Sequence, residues 1–289
     1  LALQLKKNDI VWTVPNTYAA SANCALHCGA TIDFVDIDEK TYNISIEKLK
    51  TKLISAQKTK RLPKVIIPVH LAGQPTDQKE IWKLSKKYKF KIIEDASHSL
   101  GATNHGEKVG SCKWSDLTVF SFHPVKIITT GEGGMVCTNN KKYFTLMKKI
   151  RENGIAFENK DFEYKKIHPG YYEHQMVGFN YRMSEISAAL GLSQIKRLKE
   201  NIKERNKIAK KYYKALKNVP INFQSIRKKN LSSFHLFIVQ FDLNGSKSNF
   251  KKIFELFRKK RVFVNQHYMP LHLSPYFKKK GFKKNQFPN

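Results

Sequence analysis

The sequence predicts an α/β protein: a large domain on a mostly parallel sheet, then a smaller α+β C-terminal domain. Three observations predict it. Short apolar runs rich in β-branched and aromatic residues alternate with helical periods up to about Ser184. Beyond Ser184 the pattern changes to one long stretch of helical periodicity. A shorter succession of strand and helix then closes the chain. The 289 residues suit two domains, at roughly 100–200 residues each. The boundary is drawn between residues 1–200 and 201–289.

Leu1, Leu3 and Leu5 run into a polar turn at Lys6–Asp9, and this opening reads as the end of a helix. The C-terminal KKNQFPN closes no recognisable element, so the chain is expected to be a piece of a longer protein, truncated at both ends. Asp9–Val14 and Thr31–Val35 read as strands. The segment around Cys24 and Cys28 reads as helix. Lys64–His70 (KVIIPVH) is a continuous apolar run and reads as a buried strand. Asp77–Tyr88 predicts an amphipathic helix: Asp77 and Glu80 suit its first turn, and Ile81, Leu84 and Tyr88 share a face. Phe90–Asp95, Leu117–Phe122 and Gly134–Thr138 are the next strands. Glu185–Lys217 reads as one long helix on Ile186, Leu190, Ile195, Leu198 and Ile202. A linker over Val219–Asn230 leads to a strand at Phe234–Phe241, a helix at Lys247–Arg261 and a short strand at Val262–Val264. In such sheets ligands sit beyond the carboxyl ends of the strands, which singles out Asp95, His98, Ser121 and Lys126.

Composition excludes several classes. Apolar residues make up 41% and aromatics 12%, too many for a disordered chain. No apolar run reaches the roughly 18–20 residues of a membrane span, and no signal peptide opens the sequence. Four cysteines without a CxxC pair read as reduced thiols of a cytoplasmic protein. The net charge of +30 suggests nucleic acid at first sight. The excess is nearly all lysine, however, spread over helix faces such as Lys83, Lys86 and Lys87. Readers of nucleic acid favour the arginine fork. The charge therefore reads as a solvated surface that also attracts anionic small molecules, with no nucleic-acid or membrane partner. His70, His98, His123 and Cys112 lack metal-ligand spacing, and no GxGxxG or Walker pattern occurs.

Four segments carry the chemistry: PNTYAAS (15–21), EDASHSLGA (94–102), FSFHPVKIITTGEGGM (120–135) and VGFNYRMSEISAALG (177–191). Read singly, Asp95 is a strand-end carboxylate or a helix cap, and Lys126 a surface lysine or a nucleophile. A lysine whose pKa its surroundings lower can form a Schiff base with an aldehyde. A carboxylate at a strand end can hold a pyridine nitrogen protonated.

In this order and spacing the four segments resemble the DegT/DnrJ/EryC1/StrS sugar aminotransferases, over essentially the whole chain. The resemblance implies a fold-type I enzyme dependent on pyridoxal 5′-phosphate. It implies Lys126 as the Schiff-base lysine and proton carrier, and Asp95 as partner of the pyridine nitrogen. His98 stands where relatives carry Gln beside the cofactor's phenolic oxygen; histidine can donate the same bond, with its protonation left open. Ser121 resembles the phosphate-binding serine. Tyr18 matches the aromatic that stacks on the pyridine, the alternative being a core tyrosine. Asn180 resembles the asparagine that reaches the neighbouring protomer's cofactor, which implies a homodimer with composite sites. Arg182 either joins it or pairs with Glu185. The turn with which relatives open an early helix at the phosphate has no counterpart after Leu1. The chain as given is therefore expected to bind cofactor poorly.

Within the family, SFHPVK and YYEHQMVGFNYRM most resemble the transaminases of pseudaminic acid synthesis. That branch implies glutamate as donor, a UDP-linked 4-keto-6-deoxy-N-acetylhexosamine as acceptor and UDP-4-amino-4,6-dideoxy-N-acetyl-β-L-altrosamine as product. NQHYMPLHLSPYF resembles the branch's HY-x-P-x-H segment. His267, Tyr268 and His272 then line the nucleotide-sugar side, or belong to a packed loop. The near alternative is a sister enzyme of perosamine or bacillosamine type. The alternative from another class, a basic nucleic-acid-binding protein, has only the net charge in its favour. A family dehydratase carries histidine in place of Lys126 and is disfavoured.

Overall fold

The computed structural model describes residues 1–164, 168–241 and 249–289. In chain order its first half holds β1 (Ile10–Thr13), α1 (Ala20–His27), β2 (Thr31–Phe34), α2 (Ile46–Lys58), β3 (Val65–Ile66), α3 (Gln78–Tyr88) and β4 (Lys91–Asp95). The short pair β5 (Thr103–Asn104) and β6 (Glu107–Lys108) follows, then β7 (Leu117–Ser121), β8 (Gly134–Cys137) and α4 (Lys141–Arg151).

One six-stranded sheet organises these elements, in the order β2-β1-β3-β4-β7-β8. Its first five strands are parallel, and β8 returns antiparallel to β7 from Thr118↔Cys137 to Ser121↔Gly134. The expected mostly parallel sheet is therefore present, with one reversed edge. Period-two alternation sends residues to two cores. Trp12, Ile66 and Ile92 meet Leu49 and Leu53 of α2 and Ile81 and Leu84 of α3 on one face. Val11, Ile32, Phe34, Val65 and Ile67 meet Ala22 and Ala25 of α1 on the other, together with Leu271 and Phe277 from the far end of the chain. Helix α2 went unread in the sequence, although Ser45 caps it by accepting from the Lys48 amide and Leu49, Leu53 and Ala56 form its buried stripe.

Several expectations are corrected. Leu1–Leu5 forms a turn closed by Gln4 N–H to Leu1 C=O (2.7 Å), because Leu3 and Leu5 pack singly against the second core. After the short pair β9 (Ile155–Ala156) and β10 (Glu173–His174), the long helix divides into α5 (Glu185–Ile195) and α6 (Leu198–Ala215). Arg197 leaves helical geometry (φ −97°, ψ 2°) at the break, which lets Leu198 seat against Phe122 and Ile128. Part of the expected linker is strand: β11 (Ile221–Phe223) and β12 (Asn230–Leu231), the latter pairing with β5. Of the strand expected at Phe234–Phe241 only β13 (Val239–Phe241) pairs, with β11. The Phe234–Ile238 stretch serves as a strap, described below. Helix α7 runs Phe250–Lys259 behind an Asn249 cap; its expected first residues, Lys247 and Ser248, lie outside the described residues. Val262–Val264 forms no strand, and α8 (Pro275–Lys279) closes the regular structure.

Candidate active site

The carboxyl ends of β1, β4 and β7 meet on one edge of the sheet. Asp95 is the last residue of β4 and bridges Val69 on one side and Val119 on the other. Its carboxylate is held from two sides. Ser97 donates to Oδ1 from its hydroxyl (2.6 Å) and its amide (3.1 Å). Ser21, in the first turn of α1, donates to Oδ2 at 2.6 Å, and the Thr17 hydroxyl stands 2.9 Å behind it.

His98 is buried three residues on. Ala72 N–H donates to its Nδ1 at 3.3 Å, so the ring proton sits on Nε2, which faces the Tyr268 hydroxyl at 3.1 Å. Burial, with the Lys126 charge nearby, pushes the His98 pKa down to about 3, so the ring is neutral at physiological pH. His235 packs tilted against it, with ring centroids 4.5 Å apart, and is pushed down to about 2, by burial first and then by His98 and Lys126.

The strap delivers His235. Ser233 N–H reaches Gly73 C=O (3.0 Å), Ser233 Oγ donates to the His98 carbonyl (2.8 Å) and Leu236 N–H meets Ala72 C=O (3.3 Å). Gly73 (φ +103°) admits this crossing, since a Cβ there would stand 2.5 Å from Ser233 Oγ. His235 is a site residue that sequence reasoning missed, because Phe234–Phe241 read as an ordinary strand. Ser21 and Ser97 were missed as well, though both sit inside segments already singled out.

Lys126 follows β7 in a loop fixed by Phe122 N–H to Gly133 C=O (2.8 Å) and Thr130 N–H to Phe122 C=O (3.0 Å). Its amine is half-buried and has no hydrogen-bond or ion-pair partner among the described residues. Burial lowers its pKa, and Asp95 opposes the shift. The same ammonium contributes to lowering the pKa of His98, His235 and His267. Ser121 ends β7, two residues past the Val119 that pairs with Asp95. Gly131 takes φ +80°, and Gly133 fits only without a Cβ, which would lie 2.3 Å from Thr130 Oγ1.

The remaining expected residues divide. Tyr18 is 67% exposed with its ring 6.2 Å from Tyr268, so it stands open over the site and is no core tyrosine. Tyr268 is raised to about 12, by burial first and then by Asp95, and its amide is held by Asn16 Oδ1 at 2.8 Å. A cleft of about 620 Å³ opens beside His267 and Tyr268, walled by Phe241, Phe254 and Phe257. A smaller one of about 480 Å³ lies at the other ends of the strands, near Lys52 and Asp33. His272 is not brought to Lys126. It is 2% exposed, lies edge-on to Phe287 at 5.1 Å, and neither ring nitrogen has a partner among the described residues. The apolar Leu271 and Phe277 beside it draw that segment into the second core, which corrects His272 to an interior packing residue. Asn180 is exposed and bridges Glu152 beside the bare Val177 and Tyr181. Arg182 is exposed and forms no ion pair with Glu185.

The DegT/DnrJ/EryC1/StrS aminotransferase family model matches residues 1–289. The chain belongs to that family. It is 36% identical over 277 residues to the UDP-4-amino-4,6-dideoxy-N-acetyl-β-L-altrosamine transaminase of Campylobacter jejuni, covering 94% of this chain and 69% of that protein. It superposes on Helicobacter pylori PseC, an aminotransferase of pseudaminic acid biosynthesis, with a TM-score of 0.82 and 30% identity, covering 96% and 72%. The PLP form of a putative sugar aminotransferase from Streptococcus pneumoniae matches with a TM-score of 0.83 and 27% identity, covering 99% and 74%. The protein is thus a pyridoxal phosphate-dependent nucleotide-sugar aminotransferase with the α/β fold of that family. The residues present fit the cofactor. Lys126 offers an unpaired, half-buried amine within electrostatic reach of the Asp95 carboxylate, which Ser21 and Ser97 hold in place, and Tyr18 leaves an open ring near Tyr268. No helix among the described residues is long and apolar enough to cross a membrane.

Proposed function

We propose that this protein transfers the amino group of L-glutamate to C4 of a UDP-linked 4-keto-6-deoxy-N-acetylhexosamine. The product is UDP-4-amino-4,6-dideoxy-N-acetyl-β-L-altrosamine, an intermediate of pseudaminic acid biosynthesis in the cytoplasm. The observation that carries the chemistry is the unpartnered, half-buried amine of Lys126 in the loop after β7, with Asp95 within electrostatic reach. The choice of sugar is supported by the identity to the C. jejuni transaminase.

Bound here, pyridoxal phosphate supplies an aldehyde that captures amines and a ring that takes up the electron pair left when carbon loses a proton. Lys126 Nζ, with its lowered pKa, would carry the proton between the reacting carbon and the cofactor in each half-reaction, and in the second would deliver it to C4 of the sugar from its own face. Asp95 would keep the ring nitrogen protonated. His98, whose Nε2–H meets the Tyr268 hydroxyl, would reach the phenolic oxygen by giving up that contact. Ser121 would donate its hydroxyl to the phosphate, and Tyr18 would stack on the ring. His267 and Tyr268 border the cleft and face the sugar nucleotide. The large domain, 1–200, carries the cofactor residues, and the small one, 201–289, contributes the strap and the cleft.

A homodimer completes the site through Asn180. Its support is the bare apolar surface beside that residue: Val177 at 84%, Ile186 at 85% and Leu192 at 67% exposed.

The test is a product assay with glutamate and a set of UDP- and GDP-linked 4-keto sugars. The altrosamine product is expected from the UDP-linked L-arabino-hex-4-ulose substrate, with Lys126→Ala inactive. Turnover of a GDP-linked sugar alone would overturn the substrate, and a fully active Lys126→Ala variant the mechanism.

A further inference from the structure

We propose that Ser21 and Thr17 are positioning residues of the reaction: a directed hydrogen-bond chain, Thr17 to Ser21 to Asp95, that aims the free lone pair of Asp95 at the cofactor's ring nitrogen. This inference rests on the role proposed for Asp95.

The direction of the chain follows from proton counting. An ionised carboxylate only accepts, so the Ser21 hydroxyl, 2.6 Å from Oδ2, must spend its single proton on Asp95. Ser21 Oγ is then an acceptor toward Thr17, and Thr17 Oγ1, at 2.9 Å, must be the donor. Both hydroxyls are buried, Thr17 at 1% and Ser21 at 4% exposed, so water does not stand in for either. On the other oxygen, Ser97 supplies two donors to Oδ1. Oδ1 is thereby saturated in the ordinary sense of two lone pairs, whereas Oδ2 has one filled and one free. The clamp leaves a single acceptor direction open. It also fixes the carboxyl against rotation about its terminal bond, a soft torsion in an unrestrained aspartate.

The local fold serves this end. Thr17 and Ser21 lie on either side of the start of α1, at Ala20, one turn apart. A side chain one turn further along α1 points elsewhere. Cys24 is exposed, and its thiol bonds back to the Ser21 carbonyl at 3.4 Å.

The experiment loads the protein and its variants Ser21→Ala, Ser21→Thr, Thr17→Val and Asp95→Asn with pyridoxal phosphate carrying ¹⁵N in the ring. It reads the ¹⁵N shift, the cofactor dissociation constant and the thermal melt. Asp95→Asn is expected to move the ¹⁵N signal to the unprotonated position. Ser21→Ala is expected to move it the same way by less and to weaken cofactor binding about tenfold, the worth of one hydrogen bond to a charged group. Thr17→Val should weaken it about threefold, and Ser21→Thr should restore binding to within about twofold. If Asp95→Asn moves the signal while Ser21→Ala and Thr17→Val do not, the chain is refuted and the role of Asp95 stands. A weaker affinity with an unmoved signal also refutes it, since that is what a purely structural serine would give. If Asp95→Asn leaves the signal unmoved, the role of Asp95 falls first. Should Ser21→Ala not fold, Thr17→Val and Ser21→Thr decide.

Discussion

Acidifying the cofactor-free protein from pH 7 to pH 5 should destabilise it, and the loss should trace to the packed pair His98 and His235. Both rings are held neutral in the fold, with pKa values of about 3 and about 2. In the unfolded chain each titrates near 6.5. The unfolded state therefore binds more protons throughout the window between, so stability is full above pH 6.5 and falls as pH drops toward 3. At pH 5 each unfolded ring is about 1.5 pH units below its pKa, which is worth about 2 kcal/mol per ring, or about 4 kcal/mol for the pair. That is a large share of the usual 5–15 kcal/mol of a folded domain, quoted as an order of magnitude. His267 and His272 are lowered as well and act in the same direction. Lowered carboxylates such as Glu94 and Glu80 do not interfere, because their unfolded counterparts stay ionised until about pH 4.5. The assay is urea unfolding by tryptophan fluorescence at half-unit steps of pH, on the native protein and on His235→Phe. The variant keeps a ring against His98 and should lose about 1.4 kcal/mol per pH unit of the slope below pH 6. An unchanged slope in His235→Phe would show that His235 is protonated in the fold, and would remove the electrostatic account of the site.

Two further outcomes test packing and assembly. Leu53→Ala removes a fully buried side chain between α2 and the sheet and should cost about 2–5 kcal/mol in chemical denaturation, with cofactor affinity unaltered. Mixing inactive Lys126→Ala and Asn180→Ala chains should restore about a quarter of native turnover, because half the random dimers are mixed and each has one intact composite site; no recovery after subunit exchange would mean that each chain supplies its own site.

The parallel sheet was legible because short runs rich in β-branched and aromatic residues, KVIIPVH the most apolar of them, alternate with helical periods. Helix α2 was not, since IEKLKTKLISAQK presents only three buried positions amid lysines, and its cap, Ser45, sits in what also reads as a glycosylation sequon. The break at Arg197 was equally silent. Both α5 and α6 carry helical periodicity, and only the fit of Leu198 against Phe122 and Ile128 decides that the axis must turn. Such a decision is tertiary, and periodicity holds no record of it.

The same distinction governs the active site. Lys126, Asp95 and His98 were legible because they end strands or follow them closely, where a parallel sheet must leave its ligands. His235 was not, because it lies more than a hundred residues from Lys126 in sequence and arrives on a strap whose hydrogen bonds run to Ala72, Gly73 and His98 instead of to a neighbouring strand. Apolar alternation in HLFIVQF describes a strand well, and a strand would have carried His235 to the β11 ladder. What diverts it is Gly73, the residue that lets two backbones cross within a Cβ radius. For His272 the sequence left a substrate loop and a packed loop open, and the structure takes the second: Leu271 and Phe277 on either side belong to the second core, and the imidazole is buried with them. Sequence thus points to residues whose position follows from the ends of strands, and leaves open those, such as His235 and His272, whose position is decided by tertiary packing.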